Sequence, residues 1–257
     1  MLTEERHELI LNELKKHSVV HVSTLVEMLD TSESTIRRDL NFLHNQGKLN
    51  KVHGGATSIK KNIHTKDDEI EVRKNLHTEE KISIARKAAS LIKANDFVYI
   101  DAGTTTELMV DFIEEKNAVY VTNGINHASR LVSRGFTVYI LAGEVKILTQ
   151  AIIGIEAVNC LKKYNFTKGF FGTNGVCLEN GFTTPEIKEA LVKETALKKA
   201  REAYILADDS KFNEVSCVTF ADIKDAAIIT SNVDNKYKEL VKADTKILEV
   251  VIRWFTQ

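Results

Sequence analysis

The stretch Ser32–Ala56, SESTIRRDLNFLHNQGKLNKVHGGA, decides how the N-terminal part of this chain is read. Ser32 suits a helix N-cap, because its hydroxyl can accept from an otherwise unsatisfied first-turn N–H. Ile36, Leu40 and Leu43 then recur at i, i+4 and i+7, which defines one buried helix face. Ser34, Thr35, Arg37, Arg38 and Asn41 are thereby left to the other faces. Gly47 is expected to end the helix as a left-handed residue. The segment after it alternates briefly and turns at Gly54–Gly55, which reads as a short β-wing presenting Lys51 and His53.

Upstream, Thr3 is expected to cap a first helix, with Glu4 and Glu5 in its first turn and Leu9, Ile10 and Leu14 inward. Val20–Val22 reads as an extended link, Ser23 as the cap of a second helix burying Leu25, Val26 and Leu29, and Asp30–Thr31 as a turn. Helix, turn, helix and wing in this order place the second helix of the pair in the major groove of DNA. Arginine can pair there with guanine, and Ser, Thr or Asn with base edges or phosphates. The chain as a whole has a net charge of -1, so the basic signal must be local. Between Ser32 and Lys61 it is: Arg37, Arg38, Lys48, Lys51, Lys60 and Lys61 stand against Glu33 and Asp39, a net +4. Met1–Thr31 carries three Lys/Arg and six acids, a net −3. The expected DNA contacts are therefore Ser34, Thr35, Arg37, Arg38, Asn41, Lys51 and His53.

With 257 residues, 43% of them hydrophobic and 28% charged, the composition is that of a soluble chain with room for two domains. No apolar run approaches the roughly 18 residues of a membrane span. The acidic, amphipathic start MLTEERHELI does not read as a secretory signal. Cys160, Cys177 and Cys217 are widely spaced, without a CxxC pair, and are expected as core residues in a reducing cytoplasm. The eight His are scattered and form no zinc-type spacing with Cys, so neither metal nor cofactor is expected.

Residues 1–57 are read as the winged helix-turn-helix domain, 58–77 as a connector and 78–257 as a second domain. The connector swings from Lys60–Lys61 to Asp67–Asp68–Glu69, with a helical turn expected near Ile70–Asn75. Thr78 is expected to cap a helix with Ile82, Ala85, Ala89 and Ile92 inward. Short apolar runs then alternate with helical spacing. Strands are expected at Phe97–Asp101, Ala118–Thr122, Phe136–Leu141, Lys168–Phe171, Ala203–Ala207 and Ala226–Thr230. Helices are expected at Thr105–Glu114 and Asn126–Ser133. Buried runs spaced by helices indicate an α/β fold with a mainly parallel sheet.

Ligands of such sheets sit beyond the carboxyl ends of the strands. Those ends read Asp101–Thr106 (DAGTTT), Thr122–Gly124 (TNG), Ala142–Glu144 (AGE), Gly172–Gly175 (GTNG) and Ala207–Lys211 (ADDSK). Gly103, Thr104 and Thr105, opening a helix, form the expected phosphate cradle. Asp101, Thr122, Asn123, Gly143, Thr173 and Asn174 supply hydroxyl-reading groups or close-approach backbone, and Lys211 a point charge. Pro185, the single proline, is expected at the first position of a further helix with Thr184 as cap, beside Glu186 as a gate or ligand contact. Together these residues describe a pocket for a small phosphorylated polyol.

TIRRDL followed by HGGA resembles the N-terminal signature of the DeoR family of bacterial sugar-operon repressors, with Lys51 where the family usually has Arg. The strand-end motifs resemble that family's sensor domain, which shares its fold with ribose-5-phosphate isomerase. GFFGTNG, GFTTPE, EALVK and ADDSKF look most like the fructose-operon and lactose-operon repressor branch. The resemblance covers nearly the whole chain. It implies a repressor that binds operator DNA as a dimer or larger homo-oligomer, with fructose 1-phosphate or tagatose 6-phosphate as effector. Two positions depart from the branch: Ala142 stands for the first Gly of a pair, and Glu186 for Asp.

The rival reading is a sugar-phosphate isomerase carrying a DNA-binding head. Aldose–ketose isomerisation needs a carboxylate base against the C1–C2 protons and a partner polarising the carbonyl. The GTNG turn offers only Thr173 and Asn174, and Glu186 and Lys211 are the remaining candidates. No catalytic residue is therefore assigned.

Overall fold

Helix α1 (Thr3–His17) opens the N-terminal unit, with Thr3 as its first helical residue rather than its cap. The structure is a computed structural model that describes residues 2–17, 19–57, 63–64, 76–231 and 245–250, and the chain divides into two units, residues 1–61 and 62–257. The buried face of α1 is Ile10 and Leu14 with Leu11 beside them, while Leu9 is exposed. The stripe lies off the expected one because Arg6 and His7, one turn before Ile10, are turned inward to a buried carboxylate, Asp39.

Strand β1 (Val19–His21) leads into α2 (Val22–Leu29), whose cap position is His21, so Ser23 lies inside the helix. Asp30 takes a left-handed conformation (φ 44°) and starts the turn. In α3 (Glu33–Asn45) the Ser32 hydroxyl accepts from the Thr35 N–H at 3.3 Å, and Ile36, Leu40 and Leu43 are buried. Gly47, at φ 64°, donates to the His44 carbonyl and Lys48 to that of Leu43, the paired bonds that close a helix end on a left-handed residue. The wing is β2 (Asn50–Val52) against β3 (Gly55–Thr57), turning at His53–Gly54, one residue earlier than expected. Gly55 belongs to the strand, where β3 lies so close to β1 that a Cβ would stand 2.1 Å from the Val20 carbonyl oxygen.

The second unit begins its described part at β4 (Ile63–His64), which pairs in parallel with β14 (Val215–Ser216). That places a strand within the expected connector, and the helical turn expected near Ile70–Asn75 lies outside the described residues. Helix α4 (Thr78–Ala89) is preceded by His77 at φ 54°, so Thr78 is again a first helical residue. It buries Ile84, Ala85 and Ala88, leaving Ile82 half-buried.

Seven strands form one parallel sheet: β5 (Phe97–Ile100), β6 (Val119–Thr122), β7 (Thr137–Ile140), β10 (Phe166–Gly172), β13 (Ala200–Leu206), β16 (Ala227–Thr230) and β17 (Ile247–Glu249), in the order β17-β16-β13-β10-β5-β6-β7. Ile247–Glu249, at the start of the apolar ILEVVIRWFTQ tail, forms β17, and residues 251–257 lie outside the described ones. Val98, Ile100, Tyr120 and Phe170 face α4, α5 (Thr104–Phe112) and α6 (Ile125–Ser133). Tyr99, Val121, Phe171 and Ile205 face α7 (Ile155–Leu161) and α8 (Ile187–Lys198). Burial on both faces is why these strands read as unbroken apolar runs.

The chain runs outward from β5 to β6 and β7, then returns to β10 on the other side of β5 and continues to β13, β16 and β17. The strand order therefore reverses between β5 and β10, and the crevice above that point is where such sheets bind ligands. Short additions crowd this edge: the hairpin β8 (Glu144–Lys146)–β9 (Ala151–Ile153), and an antiparallel sheet of β11 (Gly175–Cys177), β12 (Gly181–Thr184) and β15 (Val218–Ala221). Thr184 ends β12 and Glu186 holds the cap position of α8, so Pro185 precedes the cap instead of opening the helix. Of the cysteines, Cys177 is buried, Cys160 half-buried and Cys217 exposed, which corrects the expectation of three core residues. Among the described residues no helix is long and apolar enough to cross a membrane.

Candidate functional site

A cavity opens at the reversal of strand order, lined by Ala102, Gly103 and Thr104 after β5 and by Gly172 and Asn174 after β10. With its solvent-open mouth it holds about 540 Å³ of free space. Helix α5 starts at Gly103 and α6 at Gly124, neither with a side-chain cap. The Ile125 N–H goes to the Gln150 carbonyl at 3.1 Å, while Asn126 and His127 of the same turn line the cavity. Two glycine-started helices thus bring first-turn residues to one cavity, the arrangement that favours a bound anion.

The cation of the cavity comes from α8. Lys193 meets the Asp101 carboxylate and donates to the Gly172 carbonyl at 3.0 Å, and both charged side chains are buried. Burial pushes the Asp101 carboxyl up; Lys193 and the Gly172 N–H, 3.1 Å away, pull against this without cancelling it. One turn earlier on α8, Glu189 accepts from Lys146 and from Thr149, each at 3.1 Å, tying the β8–β9 hairpin to the cavity wall. Behind the lining residue His127, the Thr106 hydroxyl lies 3.2 Å from its Nε2.

Of the residues expected here, Gly103, Thr104 and Asn174 line the cavity, and Asp101 lies directly behind Lys193. The others hold its frame. Asn123 accepts from the Ala102 N–H at 2.8 Å and donates to the Ile152 carbonyl at 3.3 Å, joining the β5 end to the hairpin. Thr122 accepts from the Gly124 N–H, and the Thr173 hydroxyl lies 2.8 Å from the Gly175 carbonyl. Gly143, at φ 146°, leaves no room for a Cβ, which would stand 2.7 Å from the Ile153 carbonyl oxygen. Thr105 is buried in the first turn of α5, and Glu186 pairs with Lys146 at 3.3 Å. Lys211 ends a short turn beyond β13 and is not among the lining residues.

Glu107, Asn126, His127, Thr149, Gln150, Glu189 and Lys193 line the cavity without having been expected as site residues, although Glu189 and Lys193 are the two ends of the EALVK motif. Lys193 did carry a signal: it stands between Ala190 and Leu197 on the buried stripe of α8, where a lysine needs a partner.

In the N-terminal unit Arg37, Arg38, Asn41 and Lys51 are all exposed, as are Ser34 and His53, with Thr35 half-buried. Lys51 donates to Asn41 at 2.6 Å, linking wing to helix, and Arg37 is bonded to Glu33 one turn back. Asp39 is not part of this surface. It is buried and takes bonds from Arg6 at 2.6 Å and His7 at 3.0 Å, so its charge does not offset the basic face. Burial pushes its carboxyl up, but the bonds from Arg6 and His7 outweigh that and hold it below its ordinary value.

His77, Glu80 and Asp208 bring potential ligand atoms within 4.8 Å of one another, a grouping the His–Cys spacing did not reveal. Two of them have local tasks: Glu80 accepts from the Asp209 N–H and the Ser231 hydroxyl, and Asp208 from Ser210.

Residues 6–62 match the family model of the DeoR-like helix-turn-helix domain, and residues 76–232 that of the DeoR C terminal sensor domain. The chain is 48% identical to the uncharacterised HTH-type transcriptional regulator FruR of Bacillus subtilis (strain 168), over 91% of this chain and 93% of that protein. It is 34% identical to the lactose phosphotransferase system repressor of Streptococcus mutans serotype c, over 96% of this chain and 100% of that one. Among solved structures, a ribose 5-phosphate isomerase A from Methanocaldococcus jannaschii overlaps 51% of this chain and 53% of its own, with a TM-score of 0.37 and 14% identity. Nearly the full length is thus shared with regulators of transcription, and the protein is a regulator rather than an isomerase with a DNA-binding head. The chain belongs to the DeoR family.

Proposed function

We propose that the protein represses a sugar-utilisation operon in the cytoplasm, and that a phosphorylated sugar in the switch-point cavity governs its hold on operator DNA. Fructose 1-phosphate is the favoured effector, in keeping with the motifs that resemble the fructose-operon branch. The observation that carries this reading is the meeting of two glycine-started helices and the buried Lys193 at one cavity. The α5 and α6 first turns supply N–H groups for the phosphate. Asn174, Glu189 and Gln150 supply acceptors and donors for sugar hydroxyls.

Operator DNA is read by α3 through Ser34, Thr35, Arg37, Arg38 and Asn41, with Lys51 and His53 of the wing on the backbone. One head per chain implies a homo-oligomer, dimer or tetramer, matched to repeated half-sites. Effector binding shifts the equilibrium between two arrangements of the oligomer, as linkage requires of any ligand that prefers one of them.

A thermal-shift panel of fructose 1-phosphate, fructose 6-phosphate, tagatose 6-phosphate and glycerol 3-phosphate tests the effector. Specific binding stabilises by about 2.7 kcal/mol at a hundredfold excess over Kd. Fructose 1-phosphate should give the largest rise in melting temperature, and a panel without any rise would refute the reading.

A further inference from the structure

We infer that His127 recognises the charge of the effector's phosphate: it takes up a proton as the anion enters and meets it as an imidazolium through Nδ1. This rests on the effector reading above and adds to it the group that answers the phosphate.

The hydrogen bonds around Thr106 decide which ring nitrogen titrates. A hydroxyl has one proton to give. That of Thr106 has two carbonyl acceptors, Asp101 at 2.6 Å and Gly103 at 2.9 Å, and the Gly103 carbonyl also accepts from the Glu107 N–H at 2.8 Å. With its proton given to a carbonyl, Thr106 can only accept from Nε2 of His127, 3.2 Å away. Nε2 therefore carries a hydrogen in both charge states of the ring, and Nδ1 is the nitrogen that gains or loses the proton.

Gly124 sets the position of Nδ1. The imidazole folds back over the start of α6, so that a Cβ on Gly124 would stand 2.4 Å from Nδ1 and 2.9 Å from Cγ. At φ −95° and ψ 123° the backbone of Gly124 suits any residue, so what the glycine supplies is room for the ring. Nδ1 thus lies at the N-terminal end of α6, where an anion is favoured, on a buried residue that lines the cavity.

The charged groups around His127 come from every wall of the cavity and match in pairs. Glu107 of α5 is bonded to Arg130 of α6 at 3.2 Å, Glu189 of α8 to Lys146 of the hairpin at 3.1 Å, and Asp101 of β5 to Lys193 of α8. A phosphate dianion adds negative charge to this balanced set. Among the described lining residues, His127 is the side chain whose charge can rise to meet it, because an opposite charge nearby favours the protonated ring. A sugar without a phosphate exerts no such pull, so the same step selects phosphorylated ligands.

Titration calorimetry on the full chain near pH 7.5, repeated in buffers of different ionisation enthalpy, counts the protons taken up with fructose 1-phosphate or whichever sugar phosphate of the panel binds. The second pKa of such a phosphate is about 6, so it enters as the dianion and the proton counted goes to the protein. The wild type should take up about half a proton or more, and its affinity should fall about threefold or more per pH unit above neutrality. His127→Gln should bind about tenfold more weakly, take up no proton and lose this pH dependence. Gly124→Ala, which keeps the histidine but removes its room, should behave alike. A melting transition kept by both variants certifies their fold. Binding without proton uptake by the wild type overturns the inference alone. Uptake that persists in His127→Gln also overturns it and gives the proton to Asp101 instead, and uptake unchanged in Gly124→Ala overturns the placement of Nδ1. A panel in which no sugar phosphate binds overturns it together with the effector reading.

Discussion

Lys193 of α8 and Asp101 at the end of β5 form a buried ion pair across the mouth of the strand-order reversal. The pair links the helix that carries Glu189 to the strand that delivers Gly103 and Thr104. Under the proposed function an entering phosphate would share the ammonium with Asp101.

Lys193→Met should abolish the thermal response to sugar phosphates and, by leaving Asp101 buried and unpaired, destabilise the protein by about 3–5 kcal/mol. Adding Asp101→Asn should restore most of the stability but not the binding. Lys211→Ala, outside the cavity lining, should retain both, as read by melting curves with and without ligand.

Thr104 and Thr105 look equivalent in the sequence, but Thr104 lines the cavity and Thr105 does not. Thr104→Val should weaken effector binding by about 1 kcal/mol, roughly fivefold, for one lost hydrogen bond. Thr105→Val should cost less. Titration calorimetry separates the two.

Arg38→Ala should weaken operator binding by about 1–3 kcal/mol and leave the effector response intact. Arg37 is already bonded to Glu33, so Glu33→Ala should release it and remove a negative charge beside the DNA, tightening binding at low salt. Fluorescence anisotropy across a salt series reads both.

Asp39 is held below its ordinary pKa in the fold by Arg6 and His7 against the opposing effect of burial. Its stabilising contribution is therefore full above the unfolded value, near 3.9, and is lost as pH falls through the folded one. The stability difference between wild type and Asp39→Asn, measured by urea unfolding, should shrink as pH is lowered from about 6 to 3.

Much of the fold could be read from periodicity, because its signals are local. Ile36, Leu40 and Leu43 mark α3 by spacing alone, and Phe97–Ile100 or Ala227–Thr230 mark strands by continuous burial. The caps at Thr3, Ser23 and Thr78 went astray because a helix can begin with an uncapped turn, and His21 and His77 hold two of those positions by backbone conformation alone. The additions β8, β9, β11 and β12 are only three or four residues long, too short for a period to register.

At the site, strand ends could be listed but not their depth. Asn123 and Thr173 spend their polar atoms on neighbouring backbone, whereas Lys193 and Glu189 arrive from a helix distant in sequence. Asp39 shows the same limit in the N-terminal unit: a charge count places it on the DNA face, and only packing against Arg6 removes it.

Control of the DNA-binding head by the switch-point cavity, as proposed, is read from the affinity of the full chain for the DNA preceding its own gene, titrated with fructose 1-phosphate. Affinity should fall at least tenfold for the wild type and stay unchanged for the Lys193→Met/Asp101→Asn variant. An equal fall in that variant, or no change in the wild type with any sugar phosphate of the panel, would contradict it.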